Sequence, residues 1–262
     1  MKFILSGGHS GIVLELSKKL VREGHQLGLI LRHEGRQAAA VEALGTTEGV
    51  DFFYADLSKR SELAKVAEEI QGKWDRVDGL FNNAGLLAEK ATYSEQGNEM
   101  QFEVNALTPY FLAHALRPLL DRAERAFVVN TATSGLHRQK ALDVAELKRP
   151  KKFVKLMGSY LNSKFALVLL MNHLAAEWPE VRVVNVDPGP NKTKMTSGSG
   201  MPFWLVPIRN LFFAKPTAGA GKIYDAAFQP AFQDQTGIYI TGGQVKAIKV
   251  RLSEAELVAM LR

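Results

Sequence analysis

Phe3-Ile4-Leu5-Ser6-Gly7-Gly8-His9-Ser10-Gly11-Ile12-Val13 is the stretch from which the fold is read. Three apolar residues run into glycines, and from Gly11 to about Arg22 apolar positions recur at helical spacing. The pattern predicts a strand, a tight turn and a helix. Glycine at 7 permits the turn, and glycine at 11 lets an anion approach the free N–H groups at the helix start. Many strand-to-helix turns are glycine-rich, so the meaning of this one depends on the rest of the chain.

Downstream of Arg22 the same alternation repeats. Strands are expected at Leu27 to Leu31, Phe52 to Tyr54, Val77 to Phe81, Ala126 to Thr131, Val181 to Val186 and near Gly237 to Thr241. Between them the spacing predicts helices over Lys59 to Gln71, about Gln96 to Arg122 (interrupted near Pro109), Val154 to Trp178 and Pro216 to Phe228. Strands that alternate with helices require crossovers, hence a parallel α/β sheet, doubly wound, with ligands at the carboxyl ends of its strands. No Pro/Gly/Ser-rich linker divides the chain, so residues 1–262 are read as one domain.

Composition narrows the function. The chain has 262 residues, 46% hydrophobic and 23% charged, and no cysteine, which excludes disulfides, zinc–thiolate sites and cysteine nucleophiles. No metal site is expected. The N-terminus has no signal-peptide pattern and no apolar run is long enough to span a bilayer, so a cytoplasmic location is expected. The net charge is +6, but Lys148, Arg149, Lys151, Lys152 and Lys155 form one run, and without them it is +1. A basic run of this kind is usually a solvated loop, with an anionic substrate or membrane surface as the minority reading. Aromatic and basic residues are not interleaved as a stacking platform for bases requires, so nucleic acid is not an expected partner.

Four further pieces stand at matching places along the chain. Asp56-Leu57 comes after the third strand, Asn82-Asn83-Ala84-Gly85 after the fourth, Val128-Val129-Asn130-Thr131-Ala132-Thr133-Ser134 covers the fifth, and Tyr160-Leu161-Asn162-Ser163-Lys164 opens the next helix. With Ser6-Gly7-x3-Gly11-Ile12-Val13 they resemble the short-chain dehydrogenase/reductase family, which implies a Rossmann fold. The long Thr133-to-Tyr160 segment and Lys215-Pro216-Thr217-Ala218-Gly219-Ala220 are similar to its retinol-dehydrogenase-like branch. The resemblance runs from about Lys2 to Gly243. It implies a dinucleotide held by Ser6, Gly7, His9, Ser10, Gly11 and Ile12 in the turn, by Asp56 and Leu57 at the adenine, by Asn82, Asn83, Ala84 and Gly85, and by Pro188, Gly189 and Thr193 beyond the sixth strand. Val13 stands where the family pattern has a third glycine, so the first helix is expected to sit slightly displaced from the sheet. An NAD-selective site places Asp or Glu after the second strand; here stand Arg32 and His33, with Arg36 close by, and a guanidinium fork suits a 2′-phosphate. NADP(H) is expected over NAD(H), with Arg32 as the contact.

Tyr160 and Lys164 are one helical turn apart, on one face. A free phenol titrates near 10, and a cation beside it favours phenolate and lowers that value. Tyr160 can then give a proton to a carbonyl oxygen or take one from an alcohol. The resemblance adds that Lys164 holds the nicotinamide ribose, that Asn105 in Val104-Asn105-Ala106-Leu107 holds a relay water with its main chain, and that a hydroxyl meets the substrate oxygen. Counting from Asn130 gives that hydroxyl to Thr133; a shift of one gives it to Ser134. Met201-Pro202-Phe203-Trp204-Leu205-Val206-Pro207 and Leu211-Phe212-Phe213 fall where relatives carry a substrate lid, about 194–215, and so imply a lipophilic alcohol, aldehyde or ketone. The alternative is an NADP-binding regulator or scaffold with weak turnover. Family members often pair through the two long helices, which makes a homo-oligomer an expectation by analogy.

Overall fold

The computed structural model describes residues 1–8, 11–193, 197 and 213–262. Their strands form one sheet in the order β3-β2-β1-β4-β5-β6-β7-β8. In chain order these are β1 (Lys2–Ser6), β2 (Gln26–Leu31), β3 (Val50–Tyr54), β4 (Gly79–Asn82), β5 (Phe127–Thr131), β6 (Arg182–Val186), β7 (Ile238–Thr241) and β8 (Gln244–Lys246). All neighbours are parallel except β7 and β8. The order reverses between β1 and β4, so a crevice opens at their carboxyl ends, where the glycine turn leaves the sheet.

Alternation along the strands divides the core. Phe3 and Leu5 of β1 face the side covered by α1 (Gly11–Arg22), while Ile4 between them faces the opposite layer. On the first side Phe3, Phe81 and Phe127 meet with ring centroids 5.4–5.7 Å apart. On the other, α3 (Arg60–Lys73) packs with a long composite helix made of α4 (Met100–Phe102), a π-helical segment Glu103–Leu107 and α5 (Thr108–Leu120). Full burial of each such side chain contributes about 1.5–3 kcal/mol. Between β2 and β3 lies α2 (Gln37–Leu44), an element not expected from the periodicity.

Several boundaries differ from the expectation for physical reasons. The expected interruption near Pro109 is the π segment just upstream of it. Proline has no N–H to bond the Asn105 carbonyl in the α pattern, so the hydrogen-bond ladder lengthens upstream and Pro109 opens the next α segment. A second π segment, Lys155–Tyr160, precedes α7 (Leu161–Glu177), and a short α6 (Val144–Lys148) precedes both. Beyond β6 come α8 (Pro216–Phe228) and the β7–β8 hairpin, whose turn residues Gly242 and Gly243 both have positive φ, +59° and +75°. A two-residue glycine turn joins antiparallel strands, which accounts for the strand after Thr241. The chain ends in α9 (Glu254–Leu261), started by a capping box between Ser253 and Glu256 and anchored by fully buried Met260.

Candidate active site

Ser6 ends β1 and holds the crevice together. Its hydroxyl oxygen accepts the N–H groups of Asn83 and Ala84, each at 3.0 Å, so the loop after β4 is tied to the loop after β1. Gly7 and Gly11 have φ of +79° and +61°. A Cβ on Gly7 would stand 3.2 Å from the Ala84 Cα, and one on Gly11 would stand 3.4 Å from Thr193 Cγ2. The loop after β4 and the loop after β6 thus both close on the glycine turn. Helix α1 carries no acid in its first turn, which leaves the positive end of its dipole open to an anion. Ile12 lies beside Gly219 of α8, while Val13 is fully buried in the core on the α1 side of the sheet. His9 and Ser10 lie outside the described residues.

At the end of β2 the Arg32 side chain is 61% exposed, with its Nε 3.9 Å from Asp56 Oδ1. Partial burial opposes ionisation of Asp56, but bonds from the Ser58 N–H and hydroxyl and the charges of Arg32 and Lys59 outweigh it and hold the carboxyl below the usual range. Leu57 is nearly buried, its carbonyl accepting the Thr108 hydroxyl at 2.6 Å.

The asparagines are internal ties. Asn82, Asn130 and Asn185 stand in register across β4, β5 and β6. Asn82 Nδ2 donates to Asn130 Oδ1 at 2.9 Å, and Asn130 Nδ2 donates to the Val184 carbonyl at 3.3 Å. Asn83 Oδ1 accepts the Thr131 hydroxyl at 2.8 Å. Asn105 is completely buried in the first π segment; it accepts the Leu86 N–H at 2.7 Å and donates to the Leu86 carbonyl at 2.9 Å and to Ser163 Oγ at 3.0 Å. Ser163 in turn donates to the Tyr160 carbonyl at 2.7 Å. The loop that contains Ala84 and Gly85, the first long helix and the backbone of Tyr160 are therefore one bonded unit.

Tyr160 ends the second π segment, and the Thr133 side chain stands beside its phenol. Ser134 is exposed. Lys164 is 3% exposed and donates to the Thr131 carbonyl at 2.7 Å. The expected lowering of the phenol pKa is reversed: burial pushes Tyr160 up to about 12, the nearby negative charge of Asp187 adds to this, and the Thr133 hydroxyl opposes it. Burial also brings Lys164 down to about 8. In a desolvated site the cost of making charge exceeds what one turn of helical proximity supplies.

Beyond β6, the Asp187 carboxylate accepts the Gly189 N–H at 2.8 Å and the Thr241 hydroxyl at 2.7 Å. Asn191 donates to the carbonyls of Pro188 and Gly189 at 3.1 and 2.8 Å and accepts the Gly219 N–H at 3.1 Å, pinning the Pro-Gly loop to α8. Sequence reasoning missed Asp187, Asn191, Tyr239 and Thr241. A usable signal existed for Asp187, an acid set between an apolar strand and Pro-Gly. The lid segment, about 194–215, falls outside the described residues at 194–196 and 198–212. In the basic run, Lys148 donates to the Ala259 carbonyl at 3.1 Å and fastens α6 to α9, whereas Lys151 is 93% exposed. Among the described residues no helix is long and apolar enough to cross a membrane.

The short chain dehydrogenase family matches residues 2–144. A putative daunorubicin C-13 ketoreductase, DnrU, from Streptomyces sp. (strain C5) is 25% identical over 260 residues, covering 98% of this chain and 88% of its own. Human retinol dehydrogenase 13 is 27% identical over 269 residues, covering 98% of this chain and 81% of its own. Among solved structures, a 3-ketoacyl-(acyl-carrier-protein) reductase from Brucella melitensis complexed with NADH superposes with a TM-score of 0.70 at 21% identity, over 91% of this chain and 95% of that one. The chain belongs to the short chain dehydrogenase family, a family of oxidoreductases.

Proposed function

We propose that this protein uses NADP(H) to interconvert an alcohol and an aldehyde or ketone, with Tyr160 as the general acid and base. The observation that carries the reading is buried Lys164, fixed on the Thr131 carbonyl at 2.7 Å one helical turn from Tyr160, with Thr133 beside the phenol, next to the crevice where the sheet reverses. The crevice fits a dinucleotide. Bare glycines with positive φ meet the start of a helix that has no acid in its first turn, where a pyrophosphate finds N–H donors. Gly7, Gly11 and Thr193 would hold the phosphates, Asp56 and Leu57 the adenine, and Asn83, Ala84, Gly85, Pro188 and Gly189 would line the nicotinamide end. Lys164 would hold the ribose there, since the Thr131 carbonyl takes one of its three protons. The bound dinucleotide supplies or accepts the hydride at the carbon that bears the substrate oxygen.

In the reducing direction Thr133 donates a hydrogen bond to the carbonyl oxygen and Tyr160 transfers its proton to it. A phenol held near 12 stays protonated at neutral pH, which is the form the reduction needs. The Lys164 charge stabilises the phenolate that remains, and Asn105 keeps the Tyr160 backbone in place through Ser163. Exposed Arg32 at the end of β2 supports NADP(H), and the apolar sequence 201–213 supports a lipophilic substrate.

The test is a screen of aldehydes and ketones that follows NADPH absorbance, with NADH run in parallel. Turnover with NADPH preferred is the expected result, and Arg32→Ala should raise the NADPH KM roughly tenfold while leaving NADH unchanged. No turnover with either cofactor, together with tight NADPH binding, would replace this reading with that of a regulator.

A further inference from the structure

Strand β7 brings a second phenol to the site. Tyr239 is 1% exposed and donates to the Thr133 main-chain carbonyl at 2.6 Å. That bond holds the start of the turn from Thr133 to Leu136, within which Gly135 has φ of +82°. That turn lies beyond the last residue of β5. Its nearest sheet-type bond is Ala132 N–H to the Val186 carbonyl at 2.8 Å, so the position of Thr133 itself depends on bonds from side chains. Two residues further along β7, Thr241 donates to Asp187, which also takes the Gly189 N–H, so the same strand holds the Pro-Gly loop.

We propose that Tyr239 is a positioning residue: by gripping the Thr133 carbonyl it keeps the Thr133 side chain beside the Tyr160 phenol. The proposal rests on the reading of Tyr160 as the proton donor. The titratable groups around the clamp are Tyr160, Asp187 and His137, whose ring lies 6.4 Å from that of Tyr239. Burial and the Asp187 charge raise the Tyr239 phenol to about 12, with Thr241 and Leu136 opposing them, so it remains a donor at neutral pH.

The chain has six tyrosines, few enough for 13Cζ-tyrosine NMR of the protein without cofactor, with Tyr160 assigned by Tyr160→Phe. Tyr239→Phe keeps the ring and removes one oxygen. It should move the Tyr160 resonance in the same direction as Thr133→Val, and add nothing in the double variant. A Tyr160 resonance unmoved by Tyr239→Phe, or moved as far when Thr133 is already valine, overturns the proposal. Thr241→Val, which spares the phenol, should give a smaller shift of the same sign, and a larger one would place the clamp on Thr241 instead. With NADPH and phenanthrene-9,10-quinone, Tyr239→Phe should lower kcat roughly tenfold with the NADPH KM unchanged. A loss confined to KM or to thermal midpoint overturns it in favour of a packing role. If Tyr160→Phe retains turnover, the acid reading fails, and the NMR result still decides whether Tyr239 positions Thr133.

Discussion

The two π-helical segments, Glu103–Leu107 and Lys155–Tyr160, occupy equivalent places at the heads of two long helices, and the Asn105–Ser163 bond joins them. In the first, Asn105 has no exposed surface and its amide is satisfied on both its oxygen and its nitrogen. In the second, Tyr160 carries a proton that burial and the Asp187 charge hold on to, with the Thr133 hydroxyl opposing them. The same distortion of the helix serves opposite ends. In one place it sets a side chain into a fully paired scaffold, and in the other it places a phenol in a desolvated position. Desolvation is compensated by bonds at Asn105, whereas at Tyr160 it keeps the phenol protonated, the form the proposed reduction needs.

That contrast predicts that damage to the two segments appears in different measurements. Tyr160→Phe removes the proposed proton donor but leaves the ring, so kcat should fall by about 10³ or more while the unfolding free energy changes little. Single-turnover NADPH oxidation and urea denaturation of the same variant check both halves. Asn105→Ala removes the partners of the half-buried Leu86 N–H and carbonyl, and should cost about 1–2 kcal/mol of stability in urea. Its residual folded fraction should keep far more activity than Tyr160→Phe does. If Asn105→Ala proves as stable as the parent, the scaffold half of the contrast is wrong.

Lys164 lies between the two cases, and its sign can be worked out. Its pKa in the folded protein is about 8, below the ordinary lysine value, so between that pH and about 10.5 the unfolded chain binds more protons. Stability therefore rises with pH across this window, and the full cost of burying the charge is present below pH 8. Lys164→Met should stabilise the cofactor-free protein by about 2–3 kcal/mol at pH 7, with the advantage fading towards pH 10.5, and should abolish most turnover. A midpoint in urea that does not rise at pH 7 would show that the ammonium is better solvated than its 3% exposure implies.

The sheet was legible because apolar runs and helical spacing alternate, a signal that depends on local sequence alone. The elements that escaped were short or were marked by turn chemistry: β8 by Gly242-Gly243, α9 by the Ser253–Glu256 capping box. The candidate site was legible where its groups are local, as with Tyr160 and Lys164 on one helix or Ser6 in the first turn. Asp187, Asn191, Tyr239 and Thr241 reach it from separate strands and loops, and only the packed sheet brings them beside Thr133 and Pro188. The reversed pKa of Tyr160 was hidden for a related reason. Spacing reports a neighbour, whereas burial reports the whole environment.

The smallest effect separates the two hydroxyls that counting along the sequence leaves open. Thr133 stands beside the phenol and is clamped through its carbonyl, so Thr133→Val should lower kcat about a hundredfold. Ser134 is exposed, next to Gly135, in a turn whose bonds run through its neighbours. Ser134→Ala should leave kcat within about twofold and the stability within about 0.5 kcal/mol. The opposite ranking would mean that the loop shifts by one residue when substrate binds, since a hydroxyl acts on a carbonyl oxygen only from hydrogen-bond distance. In that case the Tyr239 clamp would have to open first, and Tyr239→Phe would raise kcat instead of lowering it, so the two substitutions made together distinguish a fixed turn from a moving one.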